Sequence, residues 1–187
     1  MLQTLKEWYW SMKDPTGRMY LRYSWVRNCP GPYGFRLRAD VLRRHFKTCG
    51  EKVRIHEGAR FRNVHMISLG EYVTVGVDNF IQAAGGVTIG DYTLLGPGVK
   101  VWSTNHVFAD PDRLIRDQGA EYREIVIGSD VWIGSNAFIM PGTSLGDGCI
   151  VSAGSVVGAK KYPPYSILMG NPARVIGNRK KRADEGD

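Results

Sequence analysis

Long apolar runs are absent from this 187-residue sequence. A transmembrane helix needs about 18 consecutive apolar residues, and no such run occurs. The opening stretch, MLQTLKEWYWSMKD, contains acidic side chains and has no apolar core of the length that a secretory signal requires. We therefore expect a cytoplasmic protein without a signal peptide, built as one domain with a solid core.

Cysteine and histidine are both scarce. The three cysteines, Cys29, Cys49 and Cys149, are odd in number and form no CxxC pair, so we expect reduced thiols. Four histidines occur, and none of the other three lies within forty residues of His106. A metal site made of three histidines, two of them close in sequence, is therefore not expected, and we predict no metal cofactor.

Acidic residues are few in the first third of the chain. Residues 1–62 carry 14 Lys and Arg against 5 Asp and Glu, whereas residues 63–173 carry 6 against 10. This imbalance indicates a solvated basic face, or attraction to an anionic membrane surface or substrate. No recognisable nucleic-acid module accompanies it, so no nucleic-acid partner is expected.

A six-residue repeat is the dominant pattern. Apolar anchors recur every six residues within four groups: Ile55, Phe61 and Ile67; Leu69, Val75 and Ile81; Ile89, Leu95 and Val101; Ile127, Ile133, Ile139, Leu145, Val151 and Val157. Glycine, of which there are 23, often follows the anchor. A spacing of six is not helical, and a unit of one short strand and one turn buries its anchor only when units stack. The pattern predicts a β-solenoid.

Deviations from the repeat carry information. The register slips by two residues between Ile67 and Leu69 and between Ile81 and Ile89, which we interpret as small bulges. Small or β-branched residues precede most anchors by two positions, and Asn79 occupies one of these inward positions. We expect it to bond to backbone inside the stack or to contact a substrate. The repeat stops after VWSTNH and resumes about twenty residues later.

Several stretches resemble one known family: IGDYTLLGPGVKVWSTNH, IVIGSDVWIGSNAFIMPGTSLGDG, VSAGSVV and GNPARVIG. They are similar to the left-handed β-helix, hexapeptide-repeat acyltransferases, over about residues 53–177. NFIQAAGGVTIG, STNHVFADP and RDQGAEY look most like the relatives of maltose and galactoside acetyltransferases that acetylate bacterial surface polysaccharides. The resemblance implies triangular coils, left-handed winding, a homotrimer with active sites between subunits, and acetyl-CoA as donor.

This fold class is an all-β solenoid flanked by two other segments. We expect a basic helical segment at residues 1–52, a left-handed β-helix at 53–162 with a protruding loop at 107–126, and a C-terminal cap and tail at 163–187. The aromatic and basic stretches LKEWYWSM and YLRYSWVRNC indicate helices that pack on the open end of the solenoid or face the inner membrane surface.

The resemblance also implies site residues. His106 matches the family's catalytic base, which would activate a sugar hydroxyl for direct attack on acetyl-CoA. Long loops in compact proteins are usually functional or disordered, so residues near the break are candidates for acceptor binding: Asn79, Asn105, Gln118, Glu121 and Tyr122. Glu121 would orient His106, hold a hydroxyl, or form an ion pair within the loop.

Donor-site residues are expected in the later coils and the cap. Small residues there would let the pantetheine arm approach, and basic residues would meet phosphate; coil packing is the alternative for the small residues and the tryptophan. The candidates are Trp132, Ser135, Ala153, Gly158, Lys160, Lys161 and Arg174.

The predicted function is acetyl-CoA-dependent O-acetylation of a sugar hydroxyl in a surface polysaccharide or its precursor. N-acetylation of an amino sugar, acetylation of an antibiotic, and a non-enzymatic solenoid scaffold are the alternatives.

Overall fold

Three helices precede the solenoid in the computed structural model, which describes residues 2–180. They are α1 (Leu2–Lys13), α2 (Pro15–Val26) and α3 (Gly31–Arg43). Helix α2 begins after Asp14, whose carboxylate accepts a hydrogen bond from the Gly17 N–H at 2.6 Å, and Pro15 occupies its first turn. None of the helices described is long and apolar enough to cross a membrane.

Twenty short strands follow the helices, with 3-10 helices at Val64–Met66 and Ile115–Asp117. The strands are β1 (Thr48–Cys49), β2 (Arg54–Ile55), β3 (Arg60–Arg62), β4 (Ile67–Leu69), β5 (Thr74–Val75), β6 (Phe80–Gln82), β7 (Val87–Ile89), β8 (Leu94–Leu95), β9 (Lys100–Trp102), β10 (Thr104–His106), β11 (Ala120–Tyr122), β12 (Ile125–Ile127), β13 (Trp132–Ile133), β14 (Phe138–Ile139), β15 (Ser144–Leu145), β16 (Ile150–Val151), β17 (Val156–Val157), β18 (Lys161–Tyr162), β19 (Ser166–Gly170) and β20 (Ala173–Asn178).

Successive strands of the coils belong in turn to three different sheets. A six-stranded sheet has the order β1-β4-β7-β12-β15-β18, a seven-stranded sheet has the order β2-β5-β8-β13-β16-β19-β20, and a five-stranded sheet has the order β17-β14-β9-β6-β3. Pairing within the coils is parallel, and only the final β19–β20 pair is antiparallel in these sheets. The predicted β-solenoid is confirmed, and its coil pairing already begins at Thr48.

The interior is the stack of anchors that the repeat predicts. All fifteen anchors are buried, none with more than 4% of its surface exposed. The residues two positions earlier are buried as well, except His65, and they include Thr93, Thr143 and Ser155. The Thr93 hydroxyl donates to the Gly128 carbonyl at 2.8 Å, so a polar group inside the stack is satisfied by a neighbouring coil.

The two register slips are corner extensions, and their interpretation as strand bulges was wrong. Strand β4 pairs with β7 without interruption, and β3 pairs with β6 in the same way. The extra residues therefore go into the turns, at the 3-10 helix Val64–Met66 and at residues 83–86. Both turns lie between the five-stranded and six-stranded sheets. We call this border of the solenoid the hairpin edge.

Helices α2 and α3 close the N-terminal end of the solenoid. Arg38 is completely buried, and its guanidinium donates to the carbonyls of Ile55 at 2.7 Å and Cys29 at 2.6 Å. The Tyr23 hydroxyl donates to the Ala59 carbonyl at 2.9 Å. These bonds tie the helices to the first coil, as terminal caps of solenoids require.

Candidate active site

A β-hairpin projects from the hairpin edge in the third coil, between β9 and β12. Strands β10 and β11 pair antiparallel, with Asn105 opposite Glu121 and His106 opposite Ala120. The excursion therefore has an ordered two-stranded stem that begins at Thr104. The coil resumes at β12, where Ile125 is already paired with the preceding coil. An insertion at this edge does not disturb the sheets, because the turns there are already extended in the two preceding coils.

The base of the hairpin is fixed by a buried serine. Ser103 has no exposed surface; its hydroxyl donates to the Gln82 carbonyl at 3.0 Å and accepts from the Gly85 N–H at 2.9 Å. Its carbonyl accepts from the Arg123 N–H at 3.0 Å, which joins the two ends of the excursion. Sequence reasoning missed Ser103. The available signal was a polar residue two positions after the anchor Val101, where an inward side chain is expected.

His106 ends the first strand of the hairpin and is exposed to solvent. Its backbone N–H donates to the Asn105 side-chain oxygen at 3.0 Å. Within residues 2–180 its imidazole has no hydrogen-bond partner. The backbone of His106 is therefore fixed by the hairpin, and the ring nitrogens remain available to an incoming hydroxyl.

Four predicted residues meet on the hairpin stem: Asn105, His106, Glu121 and Tyr122. The Glu121 carboxylate lies 2.8 Å from the Arg123 guanidinium, and both side chains are half-exposed. Glu121 therefore forms the local ion pair that was one of its three predicted roles. The Tyr122 side chain is 63% exposed at the end of β11. Side chains alternate along a strand, so Tyr122 shares the face of His106, whereas Asn105 and Glu121 lie on the opposite face of the stem.

Two other acceptor-site predictions need correction. Asn79 is completely buried, and its amide accepts from the Gly76 N–H at 3.0 Å and donates to the Gly96 carbonyl at 2.7 Å. It is an internal coil residue with no surface to offer an acceptor. The amide of Gln118 is used within the loop, where it bonds the backbone N–H and carbonyl of Asp110 at 3.0 and 2.8 Å. Gln118 therefore shapes the loop.

Ser135 and Ala153 lie at a different border, between the seven-stranded and five-stranded sheets. We call this the far edge. The Gly154 N–H donates to the Ser135 carbonyl at 2.8 Å, so the two turns are stacked. A Cβ atom at Gly134 would lie 2.5 Å from the Ala153 nitrogen, so this tight stacking needs glycine. Trp132 precedes this turn on β13 and is 55% exposed.

The remaining donor-site candidates lie near the C-terminal end of the solenoid. Gly158 accepts hydrogen bonds from the hydroxyls of Thr143 at 3.1 Å and Tyr162 at 3.3 Å. Burial raises the pKa of Tyr162, and the positive charge of Arg174 partly offsets this effect. Arg174 therefore lies near the turn that carries Gly158. The exposed residues Lys160 and Lys161 follow the same turn.

One chain does not bring all these residues together. His106 projects from the hairpin edge, whereas Ser135 and Ala153 lie at the far edge, across the five-stranded sheet. Within the residues described, no group of three or more His, Cys, Asp or Glu side chains could hold a metal ion.

Comparisons with known proteins agree with this architecture. The family model for the bacterial transferase hexapeptide, of six repeats, matches residues 124–159. The galactoside O-acetyltransferase of Escherichia coli is 34% identical over 140 residues, which are 74% of this chain and 67% of that protein. A putative colanic acid biosynthesis acetyltransferase of Escherichia coli is 31% identical over 145 residues, which are 78% of this chain and 76% of that protein. A probable acetyltransferase of Mycobacterium tuberculosis is 34% identical over 127 residues, which span 68% of this chain and 40% of that relative.

Two solved structures share the fold over most of the chain. A galactoside acetyltransferase in complex with coenzyme A superposes with a TM-score of 0.75 at 29% identity, covering 89% of this chain and 84% of that one. A maltose O-acetyltransferase from Clostridium difficile gives 0.69 at 28% identity, covering 89% of both chains. The predicted left-handed fold is thus confirmed. The chain belongs to the hexapeptide-repeat acyltransferases, as an acetyltransferase of the sugar O-acetyltransferase kind.

Proposed function

We propose that this protein transfers the acetyl group of acetyl-CoA to a sugar hydroxyl of a bacterial surface polysaccharide or its precursor, with His106 as the base. The observation that carries the proposal is an exposed histidine on a hairpin whose base is fixed by Ser103. The named activities of the galactoside and colanic acid relatives support the sugar acceptor. The coenzyme A complex of a structural neighbour supports the donor.

The reaction needs a proton acceptor at the attacking oxygen. The His106 imidazole takes the hydroxyl proton while that oxygen attacks the thioester carbonyl, because imidazole is the side chain that most often serves as a general base. The new C–O bond forms, the C–S bond breaks, and the proton passes to the departing thiolate of CoA. No acyl-enzyme is required. Tyr122 supplies a hydrogen-bonding group on the hairpin face that carries His106.

The proposed site is completed by a second copy of the chain in a homotrimer. Support comes from the separation of His106 from Ser135 and Ala153 across the five-stranded sheet. Donor residues at the far edge of one subunit would face the hairpin edge of its neighbour. In this arrangement, Trp132 borders the thioester, and Gly158, Lys160, Lys161 and Arg174 are candidates for the nucleotide end of CoA.

A cytoplasmic location with peripheral contact to the inner membrane surface is part of the proposal. Helices α1 and α2 expose three tryptophans, Trp8, Trp10 and Trp25, with exposed fractions of 58, 64 and 86%. Basic side chains such as Lys13 lie beside them. Exposed aromatic and basic residues together favour the membrane interface.

Replacement of His106 tests the catalytic role. We expect His106→Ala to lower kcat by about 10²–10⁴-fold, the usual contribution of a general base, with the KM for acetyl-CoA unchanged. The assay follows CoA release against a panel of sugars and amino sugars. His45→Gln is the matched control, because His45 lies on the helical end of the molecule. Full turnover by His106→Ala on the best acceptor would refute the mechanism.

The acetylated product distinguishes O-transfer from N-transfer. An acetyl ester on a sugar hydroxyl is cleaved by mild alkali, whereas an N-acetyl amide persists. We expect the product to lose its acetyl group under mild alkali. A stable product formed only with amino sugars would favour N-acetylation.

A further inference from the structure

A cleft of about 670 Å³ lies between helix α2 and the first coils, on the outer surface of the five-stranded sheet. Three arginines line it: Arg27 from the helical side and Arg60 and Arg62 from β3. Aromatic side chains of Tyr20 and Phe80 form part of its walls. None of the described residues that line this cleft is acidic.

The three guanidinium groups lack internal partners. Among residues 2–180, Arg27, Arg60 and Arg62 form no salt bridge, and their side chains donate no hydrogen bond. Arg38 nearby is different, because it is buried and bonded to several carbonyls. Unpaired cations facing a shared cavity create a positive potential that attracts anions.

The arrangement of the arginines favours a compact multivalent anion. Arg60 and Arg62 stand two positions apart on one strand, so they project from the same face about 7 Å apart. Arg27 approaches from the opposite wall. A single carboxylate neutralises one such group, whereas a diphosphate presents several oxygens to guanidinium forks on two sides.

The cleft is connected to the hairpin through an edge-to-face aromatic pair. The ring of Phe80 contacts that of Trp102, with centroids 5.0 Å apart. Residues Arg62, Gln82 and Trp102 pair in register on neighbouring strands, so Arg62 and Trp102 are about 10 Å apart at two strand spacings. Trp102 immediately precedes Ser103 and the strand that carries His106. The cleft therefore lies on the sheet that leads to the hairpin.

We propose that this cleft binds the phosphate or diphosphate of an activated sugar acceptor, while the hairpin engages its sugar. The inference rests on the proposed acetyl transfer and specifies the class of acceptor. Tyr20 and Phe80 would pack against the group next to the phosphates. Two sources share this chemistry: a nucleotide diphosphate sugar and a lipid-linked sugar diphosphate.

Binding of inorganic pyrophosphate tests the subsite without any acceptor. Calorimetry is done with saturating CoA, so that the diphosphate site of the donor is already filled. We expect Arg60→Gln/Arg62→Gln to weaken pyrophosphate binding at least about tenfold, because charge-assisted bonds are lost. Arg54→Gln is the matched control, since Arg54 is an exposed arginine in the same coil on another sheet. An affinity within twofold of wild type, or an equal loss in the control, would overturn the subsite.

Sedimentation velocity and thermal melting of the same variants separate binding from assembly. We expect the double variant to keep the wild-type sedimentation coefficient and melting temperature, because both arginines are exposed. Dissociation of the assembly in the double variant would overturn the subsite and assign the arginines to an interface. Pyrophosphate binding at the arginines in a protein that transfers no acetyl group would refute the proposed function and leave the subsite standing.

Two ligands distinguish the sources of the diphosphate. One arm uses UDP-N-acetylglucosamine, and the other uses phosphatidylcholine vesicles carrying geranylgeranyl diphosphate, with plain vesicles as the blank. The proposal predicts that at least one of them binds the wild type and loses about tenfold in affinity in the double variant. The stronger of the two identifies the source. Binding of neither to wild type would overturn the proposal.

Discussion

Single buried polar residues in this protein hold the coils together. Asn79 bridges two turns of the solenoid through its bonds to Gly76 and Gly96. We predict that Asn79→Ala lowers the free energy of unfolding by about 2 kcal/mol, because two backbone groups lose their partners inside the stack. The KM for the acceptor should not change. Urea unfolding and steady-state kinetics check both statements.

The control for this prediction is Asn28→Ala, since Asn28 is exposed in the turn before α3. A large rise in the acceptor KM of Asn79→Ala, with stability retained, would restore Asn79 to the acceptor site.

A second residue-scale prediction concerns acid stability. Burial lowers the pKa of His56, with smaller contributions from Arg38 and Arg54 in the same direction and an opposing one from Glu57. His56 packs on Phe35 with ring centroids 4.4 Å apart. The folded state therefore binds the proton less readily than the unfolded state, whose histidine pKa is about 6.5. The contribution of neutral His56 to the stability of the fold is therefore complete above about pH 6.5 and falls as the pH drops through this value.

His56→Gln should reduce this acid sensitivity. Urea unfolding at pH 7.5 and 5.5 measures it, and we expect a smaller loss of stability between the two pH values in the variant. His65→Gln, an exposed histidine in the 3-10 helix Val64–Met66, is the control and should keep the wild-type loss. Equal losses in wild type and His56→Gln would contradict the prediction.

Among the elements, the hairpin of β10 and β11 depends on its anchor. We predict that Ser103→Ala lowers kcat by about tenfold, since one buried hydroxyl with two bonds accounts for about 1–2 kcal/mol of hairpin positioning. The KM for acetyl-CoA should stay constant. Hydrogen exchange should speed up in residues 104–122 and remain slow in the coils.

Ser166→Ala is the control, because this serine is also buried, its hydroxyl donates to the Pro163 carbonyl at 2.7 Å, and it begins β19 in the last coil. Unchanged exchange in the hairpin of Ser103→Ala would show that the hydroxyl does not hold it.

The coils could be predicted from the sequence because each six-residue unit must bury its apolar anchor in the same way, by stacking on its neighbours. Every anchor from Ile55 to Val157 is buried as expected. The extra residues near Ile67 and Ile89 were misread as bulges, since sequence alone does not say whether an insertion enters a strand or a corner. The stem of the hairpin was missed because Thr104–His106 and Ala120–Tyr122 are polar and carry no apolar alternation.

The candidate site was less predictable than the coils. The resemblance named His106, and the local ion pair of Glu121 with Arg123 was among the predicted alternatives. The fixing of the hairpin base by Ser103, in contrast, depends on Gln82, which lies 21 positions earlier in the chain. Gln118 was expected at an acceptor and instead organises the loop. Side chains that contact partners many residues away are decided by tertiary packing, which no local pattern reports.

At the scale of the whole molecule, charge and shape divide the protein into two ends. Residues 1–62 carry 14 of the 25 Lys and Arg, and three of the four exposed tryptophans lie on helices α1 and α2. The arginine-lined cleft lies where helix α2 meets the solenoid. The C-terminal end carries Arg174 and the neighbouring lysines. An acceptor anchored near the first end and a donor held near the second would meet at the hairpin of His106.

The central claim is that His106 of one subunit acts on a donor held by another. Co-expression of His106→Ala with Ala153→Trp, each inactive alone, tests it when doubly tagged mixed trimers are purified and assayed for CoA release. Each mixed trimer, whether it holds one copy or two of either variant, has one complete site in three, so the account predicts about a third of wild-type activity per site. Mixed trimers as inactive as either parent would place both residues in a site within one chain and contradict the account.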